Sequence, residues 1–161
     1  MFSQRWVDTS LPRPRWRSTL NYRVVPRLQL GLEWNPGARE LGPLATLFLL
    51  TEGEQRPAVF IGTSSDRIGS PAGTQSYYLT VAKYVPALRV SPYASVNWSE
   101  WDERMNLPFG ANIELGRGLS VQPMYDGNRT HLLASWANQR LSATVVWAWL
   151  ECVGVAMSVG F

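Results

Sequence analysis

Cysteine, histidine and lysine are almost missing from this sequence of 161 residues, which has one of each: Cys152, His131 and Lys83. A single cysteine excludes an internal disulfide bond, and no Cys-X-X-Cys pair or Cys/His cluster is present to bind a metal ion. The other fourteen basic residues are arginine. We therefore expect no metal ion and no other cofactor in this protein.

Charged residues are also scarce, at 17% of the chain against about a quarter in ordinary soluble domains. Hydrophobic residues reach 45%, with eight Trp, six Tyr and five Phe. This composition excludes disorder and favours one domain rich in strands. The net charge of +3 comes from scattered arginines that form no basic face beyond the N-terminus, so nucleic acid is not an expected partner.

The first nineteen residues differ from the rest of the chain. They carry prolines between arginines and lack the continuous apolar core of a secretory signal peptide. Because proline favours extended, non-helical chain, the sequence predicts an irregular arm over 1–19 and one folded domain over 20–161. If the protein is exported to the cell envelope, we expect this sequence to be a mature form preceded by a new Met, or one whose start has been trimmed.

From residue 20 onward, hydrophobic and polar residues alternate with a period of two, which predicts strands with one apolar face. The segment 20–34 shows the pattern most clearly. One face carries Leu20, Tyr22, Val24, Leu28, Leu30, Leu32 and Trp34, and the other carries Asn21, Arg23, Arg27, Gln29, Gly31 and Glu33. The pattern recurs at 88–99, 107–115, 119–125 and 153–161, with turn residues between the segments.

Counted between turn signals, the strands number ten. Eight remains an alternative, because the turn near residues 151–152 has no Asn-Gly or similar signal. Long connections at 35–42, 65–75 and 100–105 alternate with tight turns, as in membrane barrels that carry their loops at one end. We predict an all-β, closed antiparallel up-and-down transmembrane β-barrel of about 8–10 strands. By length and hydropathy, residues 141–161 would also suit a transmembrane helix.

Alternation does not say which face meets water, because a soluble barrel turns its apolar face inward and a membrane barrel turns it outward. The polar face here carries small residues and charges of both signs, which suits a crowded lumen. Aromatic residues at the ends of apolar faces suit a membrane girdle: Trp34, Trp98, Trp136 and Tyr125. We expect a lumen network of Arg23, Arg27, Glu33, Arg89, Asn112 and Glu114. It either closes the lumen with salt bridges or lines a narrow pore that prefers anions.

The last nine residues alternate strictly, with Val153, Val155, Met157, Val159 and Phe161 on one face. This stretch resembles the terminal strand of bacterial outer-membrane β-barrel proteins, which commonly ends on Phe. The resemblance implies a protein of the Gram-negative outer membrane with a periplasmic C-terminus. It also implies that Phe161, Val159, Met157 and Val155 form a signal for the barrel-assembly machinery.

His131 is the single candidate for catalysis, since a serine nucleophile needs an adjacent base and an orienting acid. Asp126 is near in sequence, but Ser135 lies four residues away, about 13 Å along a strand. That spacing is too long for a direct hydrogen bond, and a histidine with satisfied hydrogen bonds in the lumen is the simpler interpretation. The carboxylates Glu100, Asp102 and Glu103 would bind a cation or serve an outer-membrane enzyme, or lie in a solvated loop.

These patterns favour a function without catalysis: a small membrane scaffold, a docking or adhesion protein, or a narrow, porin-like pore. The alternatives are an enzyme that modifies envelope lipid and a soluble barrel that binds a small apolar ligand. The expected partners are outer-membrane lipids, the barrel-assembly machinery, and an envelope protein that meets the loops or the N-terminal arm.

Overall fold

The computed structural model describes residues 1–160 and is dominated by one closed antiparallel sheet. Its strands are β1 (Phe2–Val7), β2 (Trp16–Val25), β3 (Leu28–Asn35), β4 (Glu40–Leu50), β5 (Ala58–Ser65), β6 (Gln75–Ala82), β7 (Val90–Ser99), β8 (Arg104–Asn106), β9 (Phe109–Gly116), β10 (Leu119–Tyr125), β11 (Thr130–Ala137), β12 (Leu141–Ala148) and β13 (Cys152–Val159). A short helix, α1 (Pro12–Arg15), separates β1 from β2, and a 3-10 turn at Pro36–Ala38 separates β3 from β4.

The sheet closes on itself because the first strand pairs with the last, with Phe2 opposite Val159. β8 and β9 share one position beside β7, interrupted at Leu107 and Pro108, so residues 1–160 form a barrel of twelve strand positions. The predicted closed up-and-down barrel is confirmed. The predicted count of eight to ten strands is too low.

One extra strand comes from residues 20–34, which form the hairpin of β2 and β3 around Pro26 and Arg27 instead of one long strand. The hairpin leaves no mark on the alternation. At the turn Val25 lies opposite Leu28, but a bulge between Arg23 and Val25 shifts the register by one residue, so Leu20 lies opposite Leu32 and even-numbered residues face even-numbered residues. Even-numbered residues of β2 and of β3 therefore point to the same side of the sheet.

The second extra strand comes from the predicted N-terminal arm. Residues 2–7 form β1, and β2 begins at Trp16, so the predicted domain boundary falls inside a barrel strand. Pro12 and Pro14 suggested an irregular arm, but both lie in α1. Proline at the start of a helix removes no hydrogen bond, because the first amides of a helix have no partner within it.

Hydrophobic side chains point out of the barrel and polar side chains point into it. In β3, Leu32 and Trp34 are 51% and 53% exposed, whereas Glu33 is 2% exposed. Buried polar residues come from β3, β4, β6, β7 and β11 and from the connection at 66–74, and include Asn35, Glu40, Asp66, Ser76, Thr80, Asn97, Ser99 and His131. Among the described residues, the buried hydrophobic set is small, namely Val7, Ala58, Val146 and Ala148. The barrel therefore encloses a polar interior and presents an apolar outer surface.

The two ends of the barrel are built differently. The terminal end carries residues 1 and 160 and the turns at 26–27, 51–57, 83–89, 117–118 and 138–140. The loop end carries the connections at 8–15, 36–39, 66–74, 100–103, 126–129 and 149–151. The three connections predicted to be long all lie at the loop end, but only 66–74 is long. Connections 36–39 and 100–103 have four residues each, whereas 51–57 and 83–89 at the terminal end have seven each, so the predicted contrast in length is wrong in part.

Residues 141–159 form the hairpin of β12 and β13 and not a helix. Across residues 1–160, no helix has the length and apolar character needed to cross a membrane. The hairpin turn has left-handed backbone at Trp149 (φ 55°) and Leu150 (φ 58°). This conformation usually selects Asn or Gly, so the sequence gives no sign of the turn.

Candidate functional site

The lumen contains two adjoining cavities of about 490 and 510 Å³. Both are lined in part by Ser64, Ser65, Arg67, Met124 and Asp126, so they meet inside the barrel. We name the first the charged cavity, after Arg5, Arg13, Arg17, Glu33, Asp66 and His131. We name the second the neutral cavity, after Ser76, Tyr78, Thr80, Tyr93, Ser95 and Asn97.

Glu33 organises one wall of the charged cavity. Its carboxylate lies 2.5 Å from the Arg17 guanidinium and accepts hydrogen bonds from Ser65 Oγ at 2.7 and 2.8 Å and from Asn35 Nδ2 at 2.8 Å. A buried carboxylate is tolerated only when it is paired and hydrogen-bonded in this way. Asn35 also donates to Glu40 at 3.2 Å, which links two buried carboxylates through one amide.

Arg13 ties α1 to the connection at 66–74 and so covers part of the loop end. It is buried, its Nε donates to Glu40 at 2.8 Å, and its terminal nitrogens contact the Ser70 hydroxyl and the carbonyls of Pro71 and Thr74. Glu40 in turn accepts a hydrogen bond from the Gly73 amide at 2.7 Å. We call this set the Arg13 latch, because one side chain joins three segments that are distant in sequence.

A second tie joins the connections at 66–74 and 100–103. Arg67 pairs with Asp102 and stacks over the Trp101 ring with its guanidinium carbon 4.6 Å from the ring centre. Asp66 accepts a hydrogen bond from Ser99 Oγ at 2.6 Å. The predicted loop carboxylates thus serve as structural acceptors: Asp102 binds arginine, and Glu100 binds the Tyr77 hydroxyl at 3.0 Å. Glu103 is exposed.

His131 is buried in the charged cavity, and both ring nitrogens are occupied. Nδ1 accepts a hydrogen bond from the Trp149 amide at 3.2 Å, which fixes the proton on Nε2, and Nε2 donates to Asp126 Oδ2 at 2.8 Å. Ser135 instead bonds to Thr144 at 2.8 Å. No nitrogen remains to activate a nucleophile, so the geometry gives His131 a role in holding the turn at 149–151.

The hydrogen bond from His131 also affects the ionisation of Asp126. Burial by itself opposes its ionisation, but hydrogen bonds from His131 and from the backbone amides of Arg129 and Asn128 outweigh burial. Together they hold the pKa of the carboxyl below its usual range. Asp126 is therefore an ionised acceptor at the point where the two cavities meet.

The predicted lumen network of six residues divides into two groups in the structure. Glu33 lies at the centre of the charged cavity, and Asn112 lines the neutral one. Arg23, Arg27, Arg89 and Glu114 are exposed near turns of the terminal end and do not join the network. The alternation of the sequence assigns them to the lumen face. They lie near the ends of the strands, however, and so do not line either cavity.

The structure adds three arginines that the sequence interpretation did not include: Arg5, Arg13 and Arg17. All lie in the supposed arm. The alternation of Ser3, Arg5 and Val7 with hydrophobic Phe2 and Trp6 was the available signal, and six residues were too few to outweigh the prolines that follow.

The neutral cavity is walled by hydroxyl groups that bond to one another. Thr80 bonds to Ser95 at 2.7 Å, and Tyr78 bonds to Thr46 at 3.0 Å. Among the residues that line it, Arg67 and Asp126 carry charge, and both belong to the shared boundary. Phe60, Ala82, Pro108 and Met124 add apolar surface to the lining, so small uncharged solutes suit this cavity.

The predicted assembly signal lies on the outer surface of β13. Val155, Met157 and Val159 are 50%, 65% and 43% exposed and point away from the lumen. Phe161 lies outside the described residues.

No protein-family model matches this chain, and no curated protein matches it. Within residues 1–160, no three His, Cys, Asp or Glu side chains are grouped to hold a metal ion.

Proposed function

We propose that this protein is an integral β-barrel of the bacterial outer-membrane type whose lumen is a narrow pore for small hydrophilic solutes, with a preference for anions. The observation that carries the proposal is the inverted distribution of side chains. In water, the exposed hydrophobic residues of the outer surface would form one continuous apolar belt, far larger than the few hundred Å² usual for a soluble monomer. In a bilayer, the same belt faces lipid.

Aromatic residues near the strand ends support this placement. At the loop end, Trp16, Trp34, Tyr77, Trp98 and Trp147 are all at least 41% exposed and lie within three residues of a strand end. Trp136, 44% exposed, lies at the terminal end. Indole and phenol rings favour the interface between lipid and water. Several strands of eight to eleven residues are also close to the length that crosses a bilayer at a tilt.

The cavities support the pore. They adjoin inside the barrel, and together they occupy space that a plugged barrel would fill with side chains. The Arg13 latch narrows the loop end, so the pore is small. The exposed arginines of the terminal end would draw anions towards the lumen.

The assembly and location of the protein belong to the same proposal. The outward hydrophobic row of Val155, Met157 and Val159 is the feature that the barrel-assembly machinery would bind, and outer-membrane lipid is the expected surrounding. The contact between β1 and β13 closes the barrel, so pairing of these two strands would complete insertion.

A matched pair of variants tests the membrane placement. Val155→Asp puts a charge on the lipid side, at a cost of about 2–4 kcal/mol near the bilayer centre. Ala156→Asp puts the same charge on the lumen side, opposite Arg5. After refolding from urea into detergent micelles, we expect the wild type and A156D to give a β-rich species with heat-dependent gel migration and V155D to fail.

Conductance tests the pore. In planar bilayers we expect small single-channel steps and a reversal potential that shows anion preference. A wild-type chain that folds to a β-rich form without detergent would contradict the membrane placement. A chain that inserts but carries no current would contradict the pore and leave the membrane barrel standing.

A further inference from the structure

Arg5 and Arg17 lie directly opposite each other on β1 and β2, and both side chains line the charged cavity. Like charges at opposed positions of neighbouring strands repel each other. Glu33 lies beside Arg17 and reduces this repulsion from one side only.

The two arginines are not equally neutralised. Arg17 pairs with Glu33, but Glu33 also accepts hydrogen bonds from Ser65 and Asn35. Arg5 takes part in no salt bridge within residues 1–160. The Nε atoms of both arginines are shielded from solvent and have no hydrogen-bond partner. Two N–H groups in one cavity wall thus lack acceptors.

A buried donor without an acceptor costs about 1–3 kcal/mol, and more when the group is charged. No carboxylate of residues 1–160 lies within ion-pair distance of Arg5, so an anion in the cavity would supply the missing direct partner. Arginine binds carboxylate and phosphate through two parallel hydrogen bonds, which makes an oxyanion the best-fitting counterion. The surrounding wall supplies the hydroxyls of Ser3, Thr19 and Ser158, which the sheet register places beside the pair.

We propose that Arg5 and Arg17 form a binding site for a small oxyanion, a carboxylate or a phosphate, in the wall of the charged cavity. Ser3, Thr19 and Ser158 supply further hydrogen bonds to its oxygens. The proposal deepens the proposed function, because such a site makes the lumen selective for oxyanions over chloride. Binding requires only that solutes reach the lumen, so it does not depend on current flowing through the barrel.

The first experiment uses the wild-type chain folded in detergent micelles, with sodium phosphate, sodium acetate and sodium chloride at equal ionic strength. A ligand that binds the folded state alone raises the urea midpoint in a saturable way. We expect saturable shifts with the oxyanions and a smaller, unsaturated shift with chloride. A shift with phosphate alone or with acetate alone supports the site and assigns its chemistry. Equal shifts with all three salts would overturn the proposal.

The second experiment compares three variants by calorimetric titration with the better oxyanion. Arg5→Gln should weaken binding at least about tenfold, as expected for loss of a charge-assisted hydrogen bond. Ala156→Asp, opposite Arg5, should weaken it as well, because it supplies an internal counterion. Arg15→Gln is the control, since Arg15 is exposed and lies outside both cavities, and it should bind within about twofold of wild type.

Unchanged binding by folded R5Q would overturn the site. If R5Q does not fold, A156D and the wild-type salt series still decide the question. R5Q itself should fold at least as well as wild type in chloride, because it removes an unpaired charge. Saturable binding without conductance keeps the site and rejects the pore, whereas conductance without any oxyanion effect keeps the pore and rejects the site.

Discussion

Arginine meets opposite circumstances at the two ends of this barrel. At the loop end, Arg13 and Arg67 are paired with Glu40 and Asp102 and hold neighbouring connections together. At the terminal end, Arg23 and Arg27 are exposed, and neither forms a salt bridge within residues 1–160. These two arginines of the loop end close the structure, whereas the two at the terminal end stay hydrated.

This difference shows how position decides the role of a charge. A guanidinium surrounded by carbonyls and a carboxylate fixes the geometry of a loop, because removing it leaves its buried partner without a counterion. A guanidinium in water contributes little to stability and acts on solutes through its field. The comparison can be tested by removing charges from each end in turn.

The Arg13 latch should give the largest effect. Arg13→Ala leaves Glu40 buried and unpaired, so we expect the free energy of unfolding to fall by about 3–5 kcal/mol. Urea titration in detergent micelles, read by circular dichroism, measures the loss. The double variant R13L/E40L should recover part of it, because the uncompensated charge is gone. A loss below about 1 kcal/mol would mean that the latch does not hold the loop end.

The Arg67–Asp102 tie should rank second. Asp102→Asn removes the charge and keeps the shape, and we expect a loss of about 1–3 kcal/mol with faster amide exchange in residues 100–103. The exposed neighbour Glu103 provides the control, because Glu103→Gln keeps the loop length and touches no ion pair within residues 1–160. Equal exchange rates in both variants would contradict the tie.

Asp126 should make stability depend on pH. Its pKa is lowered in the folded chain, whereas an unfolded Asp has a pKa of about 3.9. Its contribution is therefore complete above about pH 4 and is lost as the pH falls through the lowered folded pKa. We expect Asp126→Asn to reduce the change in unfolding free energy between about pH 6 and pH 3. An unchanged pH dependence in the D126N variant would contradict this contribution.

The terminal end should give the smallest effect on stability. Arg23→Ala and Arg27→Ala should change the free energy of unfolding by less than about 0.5 kcal/mol, as surface substitutions do. Their effect should appear in conduction, as a weaker anion preference at low salt that vanishes at high salt. A large loss of stability would show that these side chains belong to the lumen network after all.

The closed barrel was predictable because alternation with a period of two extends over most of the chain. The strand count was not, and residues 20–34 show why. The turn at Pro26 and Arg27 is accompanied by a bulge between Arg23 and Val25 that restores the parity, so one long strand and a hairpin look alike in sequence. The turn at Trp149 and Leu150 is invisible for a different reason, because its left-handed residues are not the usual ones.

The candidate site was predictable only in part. Glu33 stands out as a charge on the lumen face of a clear strand. Arg5 and Arg17 did not stand out. The neighbour of Arg5 on β13 lies near the other end of the sequence, and α1 separates Arg5 from Arg17 along the chain. The Arg13 latch joins residues 13, 40 and 70–74, and no local pattern encodes such contacts.

The most direct test of the inverted barrel compares the surroundings of neighbouring side chains. Spin labels at Val155 and at Ala156, each in a Cys152→Ser background, would be measured in lipid vesicles with oxygen and with a water-soluble nickel relaxant. We predict that the label at 155 relaxes with oxygen, which concentrates in lipid, and that the label at 156 relaxes with nickel. Relaxation of the label at 155 by nickel, with the label at 156 shielded from both, would contradict the account.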